Sequence, residues 1–565
     1  MKKHQLHEKH SFDNVRHLIE WAAETYGDKN AYSYKPNPRK DEVVTINFNQ
    51  LRDDVRGLAT ELLNMGCAGK NCVIIGTFSY DWVITYFATL SIGGILVPLD
   101  PEWTKEDLTE TAKRADISFL FCAEEIAEKA EYIAENTELI HSPVFMCATN
   151  SEKSTRNLMT EGKEKFKENP DPYFNAEIDA EKLALLVFTS GTTGKGKGVM
   201  LNQKSFISDL TSVIPYMDFG KKTVGVLPLH HTYGSSVMLI GHAIIGSEIF
   251  ISGGIRYVVK ELKEQAPEHL VLVPLYLEKF YRKIMSTIKE QGKEKLVFTM
   301  IKISNALRKI GIDLRGVLFK SITAAFGGKL KMVISGGAPI NSDIIYLFDA
   351  IGISTLNGYG ITECAPIVAV NRSKNVVAGS VGNVLDIDTV VIDEPNEDGE
   401  GEILVKGPNV MMGYYKDEEN TKEALTEEGF FRTGDYGKLT SDGVLYITGR
   451  KKNLIILSNG KNVYPEEIEN ELSATPGIQD IVVYEGKSKR GIEHNAIVAE
   501  IFPDAEYCKA NNITDFKAHM KPYIEEYNKS AVSYKKITVL KIRDEDFPKN
   551  TLRKIMRFKI DMTIE

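Results

Sequence analysis

Short apolar runs bounded by glycine, proline or charge recur through the first two-thirds of the chain. They are Cys72–Gly76 (CVIIG), Ile95–Leu99 (ILVPL), Ile117–Cys122 (ISFLFC), Leu183–Phe188 (LALLVF), Val224–Leu227, His269–Val273 and Leu330–Ile334. Their length and flanks predict buried strands. Between them apolar residues return at helical spacing, as in Phe48–Asn64 (FNQLRDDVRGLATELLN) and Trp103–Arg114. Such alternation predicts an α/β architecture with largely parallel sheets. After about residue 375 the pattern turns β-rich, as in NEDGEGEILVKGPN and TSDGVLYITGR. Residues 450–565 read as compact α+β. Pro465 followed by Glu466 and Glu467 marks a helix start, because proline lacks the amide the first turn cannot use and acids suit the helix dipole. The polar, basic stretch 449–453 is the expected domain boundary.

Length narrows this further. The chain has 565 residues, enough for three or four small units or two large ones. The balance of 69 Lys plus Arg against 78 Asp plus Glu leaves a net charge of −9, which argues against a nucleic-acid partner. Six cysteines (67, 72, 122, 147, 364 and 508) form no CxxC pair and no zinc-like cluster. Reduced thiols and an intracellular, cytoplasmic compartment are expected. The start, MKKHQLHEKHSF, lacks the apolar run of a secretory signal. Its His4, His7 and His10 read as an exposed polar terminus. The most apolar long stretch, 224–251, is interrupted by His230, His231, His242 and Glu248, so it reads as core and not as a membrane span. The final DMTIE carries no SKL-type address.

The strongest chemical signal is FTSGTTGKGKGVM, residues 188–200. Glycines let backbone approach phosphate oxygens, hydroxyls and amides donate to them, and lysine supplies charge. Gly191 to Lys197 also fits the nucleotide-binding pattern G-x-x-x-x-G-K. That motif continues with Ser or Thr as a magnesium ligand and with a helix. Gly198 stands there instead, so a P-loop NTPase is the weaker of the two readings.

The segment resembles the phosphate loop of the adenylate-forming superfamily of acyl-CoA synthetases, luciferases and adenylation domains. Seven further stretches follow in that superfamily's order: LSIGGILVPLDP at 90–101, LPLHHTYG at 227–234, SGGAPI at 335–340, NGYGITECAP at 357–366, FFRTGDYG at 430–437, GRKKNLIILSNGKNVYPEEIE at 449–469 and PKNTLRKIMR at 548–557. The resemblance implies an α/β fold. Its large N-terminal domain (1–449) would have αβαβα-type sheets and a β-barrel-like subdomain. A hinge (450–453) would lead to a small mobile α+β C-terminal domain (454–565).

By the same resemblance, Thr189, Ser190, Gly191, Thr192, Thr193, Gly194 and Lys197 cradle phosphate. Gly336, Gly337, Ala338, Gly358, Tyr359, Gly360 and Thr362 surround the nucleoside, with Tyr359 stacking on adenine. Thr192 and Glu363 hold Mg²⁺ through hard oxygens. Asp435 and Arg450 contact the ribose, His231 lies near the acyl carboxylate, and Lys452 is the hinge residue. Lys554 neutralises charge at the α-phosphorus, with Lys549 as the competing assignment. Taken alone, Glu363 would pass for a helix N-terminal acid, Asp435 for a turn residue, His231 for a core residue and the basic tail for solvated surface. The chain departs from the pattern at Gly196, where the family commonly has proline, and at Arg553, where it has glycine. The first change is expected to loosen the loop.

Residues 281–331 hold twelve Lys or Arg and three Asp or Glu, a local charge of +9. Within them LVFTMIKISNALRKIGI (296–312) places apolar residues at helical spacing beside basic ones, which suits an anionic membrane surface as well as a solvated helix face. The position of this stretch resembles long-chain fatty acyl-CoA synthetases. The expected activity is activation of a fatty acid by ATP to acyl-AMP with release of pyrophosphate. Transfer to coenzyme A follows, or transfer to an acyl carrier protein as the runner-up.

Overall fold

The structure is a computed structural model that describes residues 4–147, 153–189, 196–457, 461–488, 496–549 and 555–564. Two compact units divide the chain. The first comprises Met1–Ala338, Tyr346–Thr389 and Val405–Phe431; the second comprises Pro339–Ile345, Val390–Leu404 and Arg432–Glu565.

The first unit is built on parallel strands joined by helices, as the alternating pattern predicts. One seven-stranded sheet runs in the order Gly413–Tyr414, Lys197–Asn202, Leu183–Thr189, Ile95–Leu99, Asn71–Ile75, Phe119–Ala123, Val144–Met146. Its centre is parallel, and Lys197–Asn202 returns antiparallel to Leu183–Thr189. Val73, Val97, Leu120, Leu186 and Phe188 from these strands bury themselves with Leu108 and Ala112 of helix Lys105–Arg114. That helix starts two residues later than the periodicity predicts. Thr104 caps it by accepting from the Asp107 amide at 3.1 Å, and an N-cap residue stands outside helical geometry. Helix Phe48–Asn64 has the predicted bounds and is capped by Asn47.

A second run of strands, His269–Leu272, Met332–Ser335 and Ser354–Gly360, is parallel. It continues antiparallel through Ile367–Val370 and Gly382–Val384. The apolar stretch before it contains a π-helix, Tyr233–Gly241, buried except for Tyr233 at its start. An i→i+5 helix of this length is uncommon and recurs at functional sites; its periodicity is not that of either regular element, so no sequence pattern announces it. No helix among the described residues is long and apolar enough to cross a membrane. The N-terminal segment is less exposed than its polarity suggests: the His7 ring bonds Met217 O at 3.1 Å, and His10 packs against Trp21. Cys67, Cys72, Cys122 and Cys364 are buried.

The expected β-barrel-like subdomain is corrected to open sheet. Strands Val444–Arg450, Phe431–Leu439, Gly401–Lys406 and Thr389–Asp393 lie side by side in that order, and among the described residues no sheet closes on itself. Closure requires both edges to pair at a common tilt and stagger, and Thr389–Asp393 ends the order. In the second unit, Ile478–Glu485, Ile497–Pro503 and Val539–Ile542 form a small sheet covered by helices Pro465–Leu472 and Phe516–Ser530. Val463, Ile468, Val483, Ala499, Met520 and Ile524 form its core.

Buried acids tie helix Gln203–Val213 to the strand at Ile367. The Asp209 carboxylate accepts from the Ile367 amide at 3.3 Å, while Asn409 donates to Asp388 at 3.0 Å and to Ile367 O at 2.9 Å. Burial pushes the Asp388 carboxyl up to about 7, against the Asn409 bond that favours its charged form, and it raises Asp209 well above its ordinary value. A raised acid stabilises the fold below the unfolded pKa, and the benefit is lost as pH rises through the folded value. Asp388→Asn should therefore raise the unfolding midpoint at pH 8 relative to wild type, with the gain shrinking or reversing by pH 5. A gain of equal size at both pH values in thermal melts would contradict this assignment.

Candidate adenylate site

Glycine-rich turns at the carboxyl ends of two parallel strands open onto one cavity. Gly336 and Gly337 follow strand Met332–Ser335, and Gly358, Tyr359 and Gly360 end strand Ser354–Gly360. All five line a space of about 80 Å³ whose remaining walls are almost wholly apolar, Leu210, Val213, Ile214, Met217 and Val237 among them. Carboxyl ends of parallel strands are the usual ligand side of an open α/β sheet. A Cβ on Gly360 would lie 2.0 Å from Pro366 O, so only glycine brings the strand this close. Tyr233, at the start of the π-helix, donates through Oη to Leu272 O at 3.2 Å, and burial raises its pKa. Ala338 is exposed beyond Gly337, and Thr362 opens the short turn Thr362–Cys364.

A second group of predicted residues meets on a tyrosine that sequence reasoning passed over. Tyr414 donates through Oη to Glu363 Oε1 at 3.0 Å, and its ring lies 4.7 Å from the Lys197 ammonium. Burial raises the Tyr414 pKa, with the Glu363 charge adding to it. The contact follows from register, since strand Gly413–Tyr414 pairs with Lys197–Asn202, placing Tyr414 opposite Val199. The only sequence signal was the aromatic pair in MMGYY. Glu363 fits a magnesium ligand: it is a hard carboxylate, and Mg²⁺ takes one or two protein carboxylates together with substrate phosphates.

Lys197 begins a strand and not a helix, which removes the geometry a P-loop requires. Ser190, Gly191, Thr192, Thr193 and Gly194 lie outside the described residues, as does Lys554. At the loop's edges, Thr189 pairs with Lys197, and Arg114 donates to Gly196 O at 2.7 Å. A Cβ on Gly196 would lie 2.3 Å from Thr189 O. Glycine here thus serves close packing of the hairpin, which any residue with a Cβ, proline included, would force apart. His231 stacks obliquely on His230 with ring centroids 4.2 Å apart, and His230 Nε2 is 3.6 Å from Asp100. Burial lowers the His230 pKa, against Asp100.

In the second unit, Asp435 and Arg450 are cross-strand partners, with the guanidinium Nε 2.7 Å from the buried carboxylate. The Lys452 ammonium lies near Arg450, Asp435, Glu466 and Arg557; lost hydration, then Arg450, lowers its pKa. Arg557 donates to Val483 O at 2.8 Å and forms a two-pronged ion pair with Glu469.

Two family models match the chain. AMP-binding enzymes match over residues 19–415, and the AMP-binding enzyme C-terminal domain matches over 452–562. The chain belongs to the AMP-binding enzyme family. Long-chain-fatty-acid--CoA ligase 5 of Rattus norvegicus is 30% identical over 499 residues, covering 82% of this chain and 71% of the relative. Long-chain-fatty-acid--CoA ligase 1 of Homo sapiens is 29% identical over 507 residues, with 82% and 70% covered. Among solved structures, ATP-bound MatB from Rhodopseudomonas palustris superposes with a TM-score of 0.74 at 23% identity over 96% of this chain and 98% of that one. The anthranilate CoA ligase AuaEII, in complex with anthranoyl-AMP, gives 0.76 at 18% identity over 97% and 96%.

For this AMP-binding enzyme, the Tyr414 contact is directly testable. Tyr414→Phe keeps the ring beneath Lys197 and removes the bond to Glu363, worth roughly 3- to 10-fold if it is a typical net hydrogen bond. The expected result is a rise of that size in KM for MgATP with KM for the acid unchanged. Equal changes in both constants would contradict a role confined to the phosphate and metal side.

Proposed function

We propose that the protein activates a long-chain fatty acid with ATP and transfers it to coenzyme A. The observation that carries this reading is one cavity lined both by backbone glycines with Tyr359 and by aliphatic side chains. A planar base can lie against Tyr359, and a hydrocarbon chain gains by leaving water for walls of Leu, Val, Ile and Met.

In the first step a carboxylate oxygen attacks the α-phosphorus, the bond to the bridging oxygen breaks, and pyrophosphate leaves. Both reactants are anionic, so positioning and electrostatics set the rate. Lys197, Thr189 and the hydroxyls of Ser190, Thr192 and Thr193 hold the phosphates. Lys554 carries the decisive positive charge, and His231 orients the acid. Glu363, with Thr192, would hold Mg²⁺, which when bound neutralises phosphate charge. Asp435 accepts from the ribose hydroxyls with Arg450 beside it. In the second step the coenzyme A thiol attacks the acyl carbon, AMP departs with the bonding pair, and a thioester forms. Residues 450–453 act as the hinge and 454–565 as the moving part, turning at Lys452 between steps. The peptide after Lys554 has a firm anchor for this, because Arg557 is bound to Glu469 and Val483.

Lys554→Ala should abolish acyl-AMP formation and leave thioester formation from supplied acyl-AMP within about threefold of wild type. Loss of both half-reactions together would refute the assignment. Supplying coenzyme A and acyl carrier protein side by side identifies the acceptor, with acyl-CoA the expected product.

A peripheral lipid contact is part of the same reading. Helix Glu294–Arg308 buries Val297 and Ile301, while Ile310 and Val317 beyond it are 71% and 77% exposed amid the exposed lysines 295, 302, 309 and 320. The helix ends sooner than the amphipathic pattern, since Gly311 at φ +83° breaks it. Exposed aliphatics ringed by lysines suit anionic headgroups over an acyl interior. Ile310→Asp combined with Val317→Asp should cut binding to phosphatidylglycerol vesicles at least about tenfold. Unchanged binding would remove the contact and leave the ligase reading intact.

A further inference from the structure

We propose that Gly241 and Phe219, the latter braced by the buried His242–His269 pair, form the floor of the apolar cavity and set the acyl length it takes. This rests on the reading of that cavity as an acyl site and adds which residues limit it.

The π-helix Tyr233–Gly241 runs along the cavity as a ruler. At its start, the Tyr233 ring lies 3.3 Å from where a Cβ on Gly336 would stand, so this end abuts the glycine turns. Val237 follows one turn on, and Gly241 closes the helix. A Cβ on Gly241 would touch nothing nearer than Leu210 Cδ2 and Ser236 O, both 4.0 Å away. Leu210 is itself a wall residue, so a Cβ at 241 has room at ordinary contact distance beside the cavity wall.

Directly after Gly241, His242 meets His269. Their Nε2 atoms are 3.0 Å apart, the rings are stacked with centroids 5.1 Å apart, and both side chains are buried. The Phe219 ring stands edge-on, 5.2 Å from His269 and 6.3 Å from His242. His242 Nδ1 is 3.1 Å from Val237 O. A carbonyl only accepts, so Nδ1 carries the hydrogen, the His242 Nε2 of a neutral ring is a lone pair, and His269 Nε2–H donates to it. Burial favours this uncharged pair by lowering both pKa values, that of His242 to about 4. The bond joins strand His269–Leu272 to helix His242–Ile245, and the half-buried Phe219 packs against both rings. Close-packed walls of this kind discriminate chain length by contact.

The test is the profile of kcat/KM over octanoate, dodecanoate, palmitate and stearate. Gly241→Leu should lower the palmitate-to-octanoate ratio about tenfold or more, and Phe219→Ala should raise the stearate-to-dodecanoate ratio by a similar factor, as expected for methylenes gained or lost in a pocket. A general folding defect scales all acids together and leaves the ratios alone. Ratios within about twofold of wild type in both variants would overturn the proposal. The same ratios are read in acid binding without nucleotide, by displacement of a fluorescent fatty acid. Absence of adenylation with every acid would therefore defeat the functional reading alone, while shifted binding ratios would still uphold the floor.

Discussion

No side chain fits where Gly360 passes Pro366, because a Cβ there would stand 2.0 Å from a carbonyl oxygen. That close approach lets Gly358, Tyr359 and Gly360 line the cavity as bare backbone plus one ring. Gly337, at φ +86°, turns the neighbouring strand end in the same way. The glycine-lined part of the cavity depends on these turns. A side chain at Gly360 would push this strand off Pro366 and disturb the lining that both share.

Among the described residues, no charged side chain lines this space. The walls from Leu210 to Val237 carry none, and the His242–His269 pair behind them is neutral. Lys197 and Glu363 meet on Tyr414, where the hydroxyl can bond the carboxylate and the ring can face the ammonium. Each would otherwise need its own hydration shell. In the second unit the Asp435–Arg450 pair follows the same logic, a buried carboxylate paired with a guanidinium on the next strand. An enzyme joining two anions has reason to fix its charges before they arrive, since preorganised groups need not reorient during reaction.

The sequence made the strands legible because they are central and parallel. Ile95–Leu99 and Leu183–Thr189 are buried on both faces and read as unbroken apolar runs. Strand Lys222–Gly225 sat two residues earlier than its apolar run, since Lys222 belongs to it by pairing and not by hydropathy. Glu363, Asp435 and Arg450 stood out in the sequence through motif spacing, and the pairing of Asp435 with Arg450 follows from their strands. Tyr414 was not, because its role comes from cross-strand register with Val199. The π-helix was not legible either, nor the His242–His269 pair, whose members are 27 residues apart and meet only through tertiary packing. The barrel-like subdomain that the resemblance implied is an open sheet, because β-rich sequence does not say whether the last edge finds the first.

The most direct test is a crystal structure with a non-hydrolysable palmitoyl-adenylate. The account predicts adenine against Tyr359 and the Gly336–Gly337 turn, with the acyl chain running past Val237 towards Phe219. An adenine bound away from Tyr359, or an acyl chain lying outside the walls formed by Leu210, Val213 and Val237, would contradict it.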